Sequence, residues 1–186
     1  MKRILALFAI TAVLHSCSSP ADDQKKKDEA AAMPTEAAKP AEPPATEIGD
    51  PKLVEKSQVA LEAMHKKDID AFASNYADNV VYGWNNFDSL VGKAAVVKYW
   101  KDRYATALDS LSFSNQIWLA VKVNKANYNV TTGDWVMAWY VTTAKYKNGK
   151  TMSQWIHNTM HYNAEGKVDR ILQFRDQAPI MAAMKK

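Results

Sequence analysis

After Asp109-Ser110 the apolar residues stop recurring at helical spacing and begin to recur at every second position, and this switch limits the fold more than any other feature of the chain. Phe113, Asn115, Ile117, Leu119, Val121 and Val123 alternate with Ser114, Gln116, Trp118 and Lys122. That is the period of a strand with two unlike faces. Asp134 to Lys147 continues as a long strand, and Asn148-Gly149, a dipeptide suited to a type I′ hairpin, turns it into a partner strand from Thr151 to Tyr162. Asn163-Ala164-Glu165-Gly166 forms the next turn, and Val168 to Phe174 the last strand. Upstream the period is helical. Asp50 and Pro51 start a helix to His65 with Leu53, Val54, Val59, Leu61 and Met64 as its apolar positions. Asp68 caps a second helix over Ile69 to Tyr76. After the strand Val80 to Trp84, Gly92 opens a third, with Ala95, Val96, Tyr99, Trp100 and Tyr104 inward. The expected class is α+β: about three N-terminal helices packed on one side of a curved, mostly antiparallel sheet.

The first fifty residues are not expected to join that core. Lys2 and Arg3 precede an apolar run from Ile4 to Leu14. This run is too short for roughly 30 Å of hydrocarbon, which takes about 20 residues. It reads as a secretory signal over residues 1–16. Residues 17–50 hold five of the seven prolines, with Pro51 a sixth at the boundary, amid Ala, Lys and Glu and without an aromatic ring. Such a segment buries too little to offset its chain entropy and reads as a semi-extended tether. The folded domain is therefore expected over 51–186, where all six tryptophans and all eight tyrosines lie.

Cys17 is the only cysteine, so neither a disulfide nor a zinc cluster can use it within one chain. Leu14-His15-Ser16-Cys17 resembles the bacterial lipobox, with His15 an unusual second residue. The resemblance implies cleavage before Cys17, acylation of that cysteine with palmitate-type chains, and a lipid-anchored protein of a Gram-negative cell envelope. Ser18 lacks the aspartate of inner-membrane retention, which points to the outer membrane, on its periplasmic or surface face. More than one acyl chain is what stable anchoring requires. Residues 51–186 carry 18 Lys and Arg against 12 Asp and Glu. These cations are dispersed singly with no nucleic-acid motif, so a solvated surface and no nucleic-acid partner are expected.

Within the domain, Lys67-Asp68-Ile69-Asp70-Ala71-Phe72, Tyr76-Ala77-Asp78-Asn79-Val80-Val81 and Val91-Gly92-Lys93-Ala94-Ala95-Val96 follow one another in order. The Asn148-Gly149-Lys150 turn and Glu165-Gly166-Lys167-Val168 through Phe174-Arg175-Asp176 complete the series. In this order they resemble the nuclear transport factor 2-like superfamily, in particular its polyketide-cyclase (SnoaL-like) and ketosteroid-isomerase branches. The resemblance implies a cone-shaped half-barrel whose helices close an apolar cavity, and homodimers through the outer sheet face.

Carried onto this chain, the isomerase base falls on Trp84, the oxyanion tyrosine on Ala60 and the oxyanion acid on Asn158; none of the three keeps its chemistry. The epoxide-hydrolase pattern of two aspartates and an arginine is not met either, because Asp169 and Arg170 point to opposite faces of a strand. His157 and His161 share a face about 13 Å apart, too far for one metal ion, and the resemblance turns both outward. His157 and Asp176 stand as the candidate bases for a lyase, isomerase or hydrolase. His65 reads as solvent-facing. The expected ligand-binding wall comprises Tyr82, Trp84, Trp100, Trp139, Asn158, Gln173 and Arg175, with no metal and no cofactor implied. Three readings follow: a ligand-binding module for a small, largely apolar molecule, an enzyme on a small uncharged substrate, or a dimerising assembly domain. Replacing Cys17 by Ser is expected to move the protein from the membrane to the soluble fraction of fractionated cells; persistence in the membrane fraction would rule out the anchor.

Overall fold

The computed structural model describes residues 42–128 and 130–185; Cys17 and the signal segment lie outside the described residues. The chain runs β1 (Thr46–Ile48), α1 (Pro51–His65), α2 (Ile69–Phe72), β2 (Tyr76–Trp84), β3 (Ser89–Val91), α3 (Lys93–Thr106), β4 (Leu108–Val123), β5 (Gly133–Tyr146), β6 (Thr151–Tyr162), β7 (Val168–Phe174) and α4 (Gln177–Met184). One seven-stranded sheet has the order β1-β4-β5-β6-β7-β2-β3. Every pairing is antiparallel except that of β2 with β7. The expected α+β class and the four-strand meander β4–β7 are present. Among the described residues no helix is long and apolar enough to cross a membrane.

The first two helices begin where the sequence provides caps. Asp50 accepts from the Lys52 amide and Pro51 occupies the first turn of α1. Asp68 likewise caps α2 by accepting from Ala71 N. The buried face of α1 is Ser57, Ala60, Leu61 and Met64, at spacings of three and four. Val59, expected inside, is 69% exposed. The second helix ends at Phe72 rather than Tyr76, because Asn75 O accepts from Val168 N and Tyr76 already pairs with Val168 at the start of β2.

Two local irregularities decide which side chains face the helices. In β4, Asn115 takes a positive φ of 51°. The ladder steps from Ser114↔Val141 to Ile117↔Trp139, so two residues oppose one. This bulge breaks the expected alternation. Phe113 lies inside, Ile117 and Leu119 are exposed on the outer face, and Trp118 packs inside against Tyr140.

The second irregularity is the β5–β6 turn. A two-residue type I′ turn at Asn148-Gly149 would place Lys147 opposite Lys150 and Trp139 opposite Asn158. Instead Tyr146 N donates to Lys150 O and only Gly149 has positive φ, so the loop has three residues, Lys147-Asn148-Gly149. Asn158 consequently pairs with Ala138, and Trp139 with His157. A one-residue difference in register sends every side chain to the other face, so Trp139 and Val141 stand outside the cone, contrary to the expectation for Trp139.

Two elements extend the expected domain. Thr46–Ile48, read as the end of the tether, pairs with Val121–Val123 as strand β1. The C-terminal α4 is capped by Asp176 and lays Ile180 and Ala183 into the core. Asn148 Nδ2 donates to Ala183 O at 2.9 Å, tying α4 to the hairpin turn.

Gly133 has φ +124°, and a Cβ there would lie 2.8 Å from His161 Nε2. Gly149 has φ +84° and open space around it. Gly149→Ala should therefore cost about 1 kcal/mol from backbone strain alone, and Gly133→Ala roughly 2–3 kcal/mol because it also displaces the imidazole. Urea unfolding of the two variants checks the order; Gly149→Ala being the more damaging would refute it.

Candidate ligand cavity

The concave face of the sheet and the helices enclose a cavity of about 100 Å³. Its wall comes from alternate residues of the meander: Tyr140, Thr142, Ala144 and Tyr146 of β5, then Ile156, Asn158, Met160 and Tyr162 of β6. Ile171 and Gln173 of β7 continue it, and Arg175 follows at the strand end. From the helices come Ser57, Leu61, Met64, Phe72, Trp100, Arg103 and Ile180.

Several polar groups in this wall are tied to one another. Ser57 Oγ and the Tyr162 hydroxyl are 2.7 Å apart. The Asn158 amide donates to the Tyr140 hydroxyl. Trp84 is buried beside the cavity rather than in its wall, and its indole N–H donates to Gln173 Oε1 at 3.0 Å. Arg175 lies over the Trp84 ring, 4.6 Å from the centroid. The rings of Tyr82, Trp84, Tyr99 and Trp100 follow at centroid spacings of 5.2, 5.3 and 5.2 Å, within the range of favourable aromatic pairs.

Burial governs the titration of the phenols. It raises Tyr76 and Tyr82 well above the ordinary tyrosine value, and neighbouring phenols add to the rise. Tyr140 is raised by burial as well, with the Asn158 hydrogen bond pulling the other way. At the rim, burial lifts Tyr146 while Arg103 and Arg175 oppose the lift. At neutral pH the wall therefore presents protonated phenols, which donate hydrogen bonds and do not act as bases.

Of the expected wall, Tyr82, Trp100, Asn158, Gln173 and Arg175 come together here, Trp84 supports it, and Trp139 lies outside. Neither candidate base reaches the cavity. The His157 ring is stacked between Trp139 and Phe174, at 4.6 and 5.7 Å, on the outer face. Its Nδ1 lies 3.1 Å from Ala138 O. Asp176 is exposed and caps α4 by accepting from Ala178 N at 2.9 Å. His65 is exposed with Nδ1 2.7 Å from Leu111 O. Asp169 pairs with His161 at 2.6 Å, so the hydrolase arrangement is not assembled. Among the described residues no group of three or more His, Cys, Asp and Glu could hold a metal ion.

Arg103 and Trp118 belong to the wall and were not expected there. For Arg103 a signal existed: it continues the Val96, Trp100 stripe of α3 at helical spacing, a cation on the buried face. For Trp118 the bulge hid the signal.

The SnoaL-like domain family matches residues 58–171. That is more than half of the chain, and the chain belongs to this family, within the nuclear transport factor 2-like superfamily. Solved structures agree on the fold. A proposed polyketide cyclase from Xanthomonas campestris is 18% identical, with a TM-score of 0.58, covering 72% of this chain and 97% of its own. A proposed isomerase from Bacillus subtilis is also 18% identical, with a TM-score of 0.53, covering 70% and 94%. An NTF2-like protein of unknown function from Burkholderia pseudomallei is 11% identical, with a TM-score of 0.56, covering 72% and 98%. No functionally curated protein matches the sequence.

The raised phenols set an alkaline limit. In the unfolded chain a tyrosine ionises near pH 10 (about its ordinary value), whereas Tyr76, Tyr82 and Tyr140 resist ionisation in the fold. The stability tied to their neutral forms is whole below about pH 10 and is lost as pH rises above it. Unfolding midpoints in urea should fall steeply above that pH, and Tyr82→Phe should make the fall shallower. A slope unaffected by Tyr82→Phe would contradict the assignment.

Proposed function

We propose that this protein is an exported lipoprotein, anchored through acylated Cys17, whose SnoaL-like domain holds a small, largely apolar ligand in its cavity without converting it. One observation carries the binding reading. Among the described residues the cavity wall contains no Asp, Glu or His, and its phenols are held protonated. General acid-base work needs a group that changes protonation near the working pH. A wall of rings with a few convergent amides and hydroxyls is instead what orients a bound molecule. The rings of Trp100, Phe113, Trp118 and Tyr140 supply the apolar surface, and Asn158, Gln173 and Arg175 supply direction. The lipobox resemblance at Cys17 supports the anchor, and the acid-rich, proline-rich segment after it supports a domain held away from the membrane.

Native mass spectrometry of the detergent-solubilised full chain from its own host tests the binding reading. A retained mass released on denaturation is expected. Ala144→Phe, which fills the inner wall, should lower its occupancy about tenfold or more through overpacking. Trp139→Ala, on the outer face, should leave occupancy unchanged. An empty cavity, or a mass kept equally by Ala144→Phe, would overturn the proposal.

A further inference from the structure

Resting on that reading, we propose that the ligand is an organic anion: a ring-sized apolar body bearing a carboxylate, held between Arg103 and Arg175 at the cavity rim. The first ground is the balance of unpartnered atoms. Among the described residues four buried side-chain atoms lack a hydrogen-bond partner: Trp100 Nε1, Arg103 Nε, Arg175 Nε and Asn158 Oδ1. All four residues line the cavity. Three of the four are N–H donors, so the occupant that completes the wall is chiefly an acceptor. Trp100 and Arg103 stand three residues apart on α3 and so project from one face.

The second ground is charge. Among the described residues neither guanidinium has an ion-pair partner. Asp102, next to Arg103 in sequence, pairs with Lys98 at 2.6 Å, and Asp70 pairs with Lys101 at 2.7 Å. Arg103 meets the Met184 sulfur at 3.5 Å, the Tyr99 ring at 6.0 Å and the Tyr146 hydroxyl, none of them anionic at neutral pH. Arg175 has the Trp84 ring. Trp84 and Tyr99 are themselves neighbours, so the two cations stack on adjoining rings of one aromatic cluster. Ring faces attract a cation but do not neutralise it. Two cations thus face a cavity whose wall has no carboxylate, in surroundings where an uncompensated charge is costly.

A carboxylate answers both grounds. Its two oxygens match the planar fork of guanidinium, and charge-assisted hydrogen bonds of this kind are about twice as strong as neutral ones. Its negative charge offsets the two cations, and its free lone pairs suit the Trp100 N–H. The apolar body then lies against Phe113, Trp118 and Tyr140, where Asn158 Oδ1 accepts from a hydroxyl or N–H on it. A volume of about 100 Å³ restricts that body to roughly one ring.

Calorimetric titration of the full chain with benzoate and with benzamide, its neutral isostere, tests this. Benzoate should bind about tenfold or more tightly at low salt. Arg103→Gln and Arg175→Gln should each bring the ratio of the two affinities towards one, while Arg175→Lys keeps part of it. Thermal melts of the variants establish that they fold. Equal affinity for the two probes, or a ratio unchanged in both Gln variants, overturns the anion proposal and leaves the cavity reading intact. Binding of neither probe, with a neutral mass retained in the native preparation, also overturns it. Binding of neither with no retained mass overturns both.

Discussion

The pairing of Ala138 with Asn158 determines what this domain encloses. It fixes β5 against β6, and because the meander is continuous it fixes which alternate residues of both strands become wall and which become exterior. The pairing follows from the three-residue loop Lys147-Asn148-Gly149, whose one residue of positive φ is a glycine. The loop also holds the chain end, since Asn148 reaches the carbonyls of Ala183 and Lys185 at 2.9 and 3.3 Å. A single turn thus sets both the face of the sheet and the position of the helix that borders the cavity.

Much of this was legible in the chain, for reasons that differ by element. The helix starts were readable because Asp50, Pro51 and Asp68 are local signals whose effect does not depend on the rest of the fold. The strands of the meander were readable because period two persists over many residues. What failed was the phase. The alternation of β5 says that Trp139 and Tyr140 face opposite ways, but not which of them faces the helices; that depends on loop length, and Asn148-Gly149 suits a shorter turn than the one formed. In β4 the bulge at Asn115 reverses phase within the strand, so no single alternation describes both halves. Strand β1 has three residues in proline-rich surroundings, too short for a periodic signal. Helix α4 has eight, and by sequence its cap Asp176 is as compatible with a base as with a helix start.

The cavity departs from an oily core in a consistent direction. Tyr76, Tyr82, Tyr140 and Tyr162 all line it; the Tyr162 hydroxyl is paired with Ser57 and the Tyr140 hydroxyl accepts from Asn158. Such groups cost free energy when buried unless they are hydrogen-bonded. A domain that needed only stability would carry phenylalanine at some of these positions. Together with the cations at the rim, they make a lining rich in donors on an aromatic scaffold. The family to which the chain belongs is defined by its cone, and the chemistry inside belongs to each sequence.

The curled sheet also sorts the six tryptophans into two optical populations. Trp84 and Trp100, at or beside the cavity, and Trp135, on the opposite face, are buried, whereas Trp118 and Trp139 are half-buried and Trp155 is more than half exposed. Indole emission responds to local polarity and to quenchers within reach. The intrinsic fluorescence of this protein is therefore a sum of a buried signal shielded from dissolved quenchers and an accessible one open to them, and the two can be read separately without adding a label.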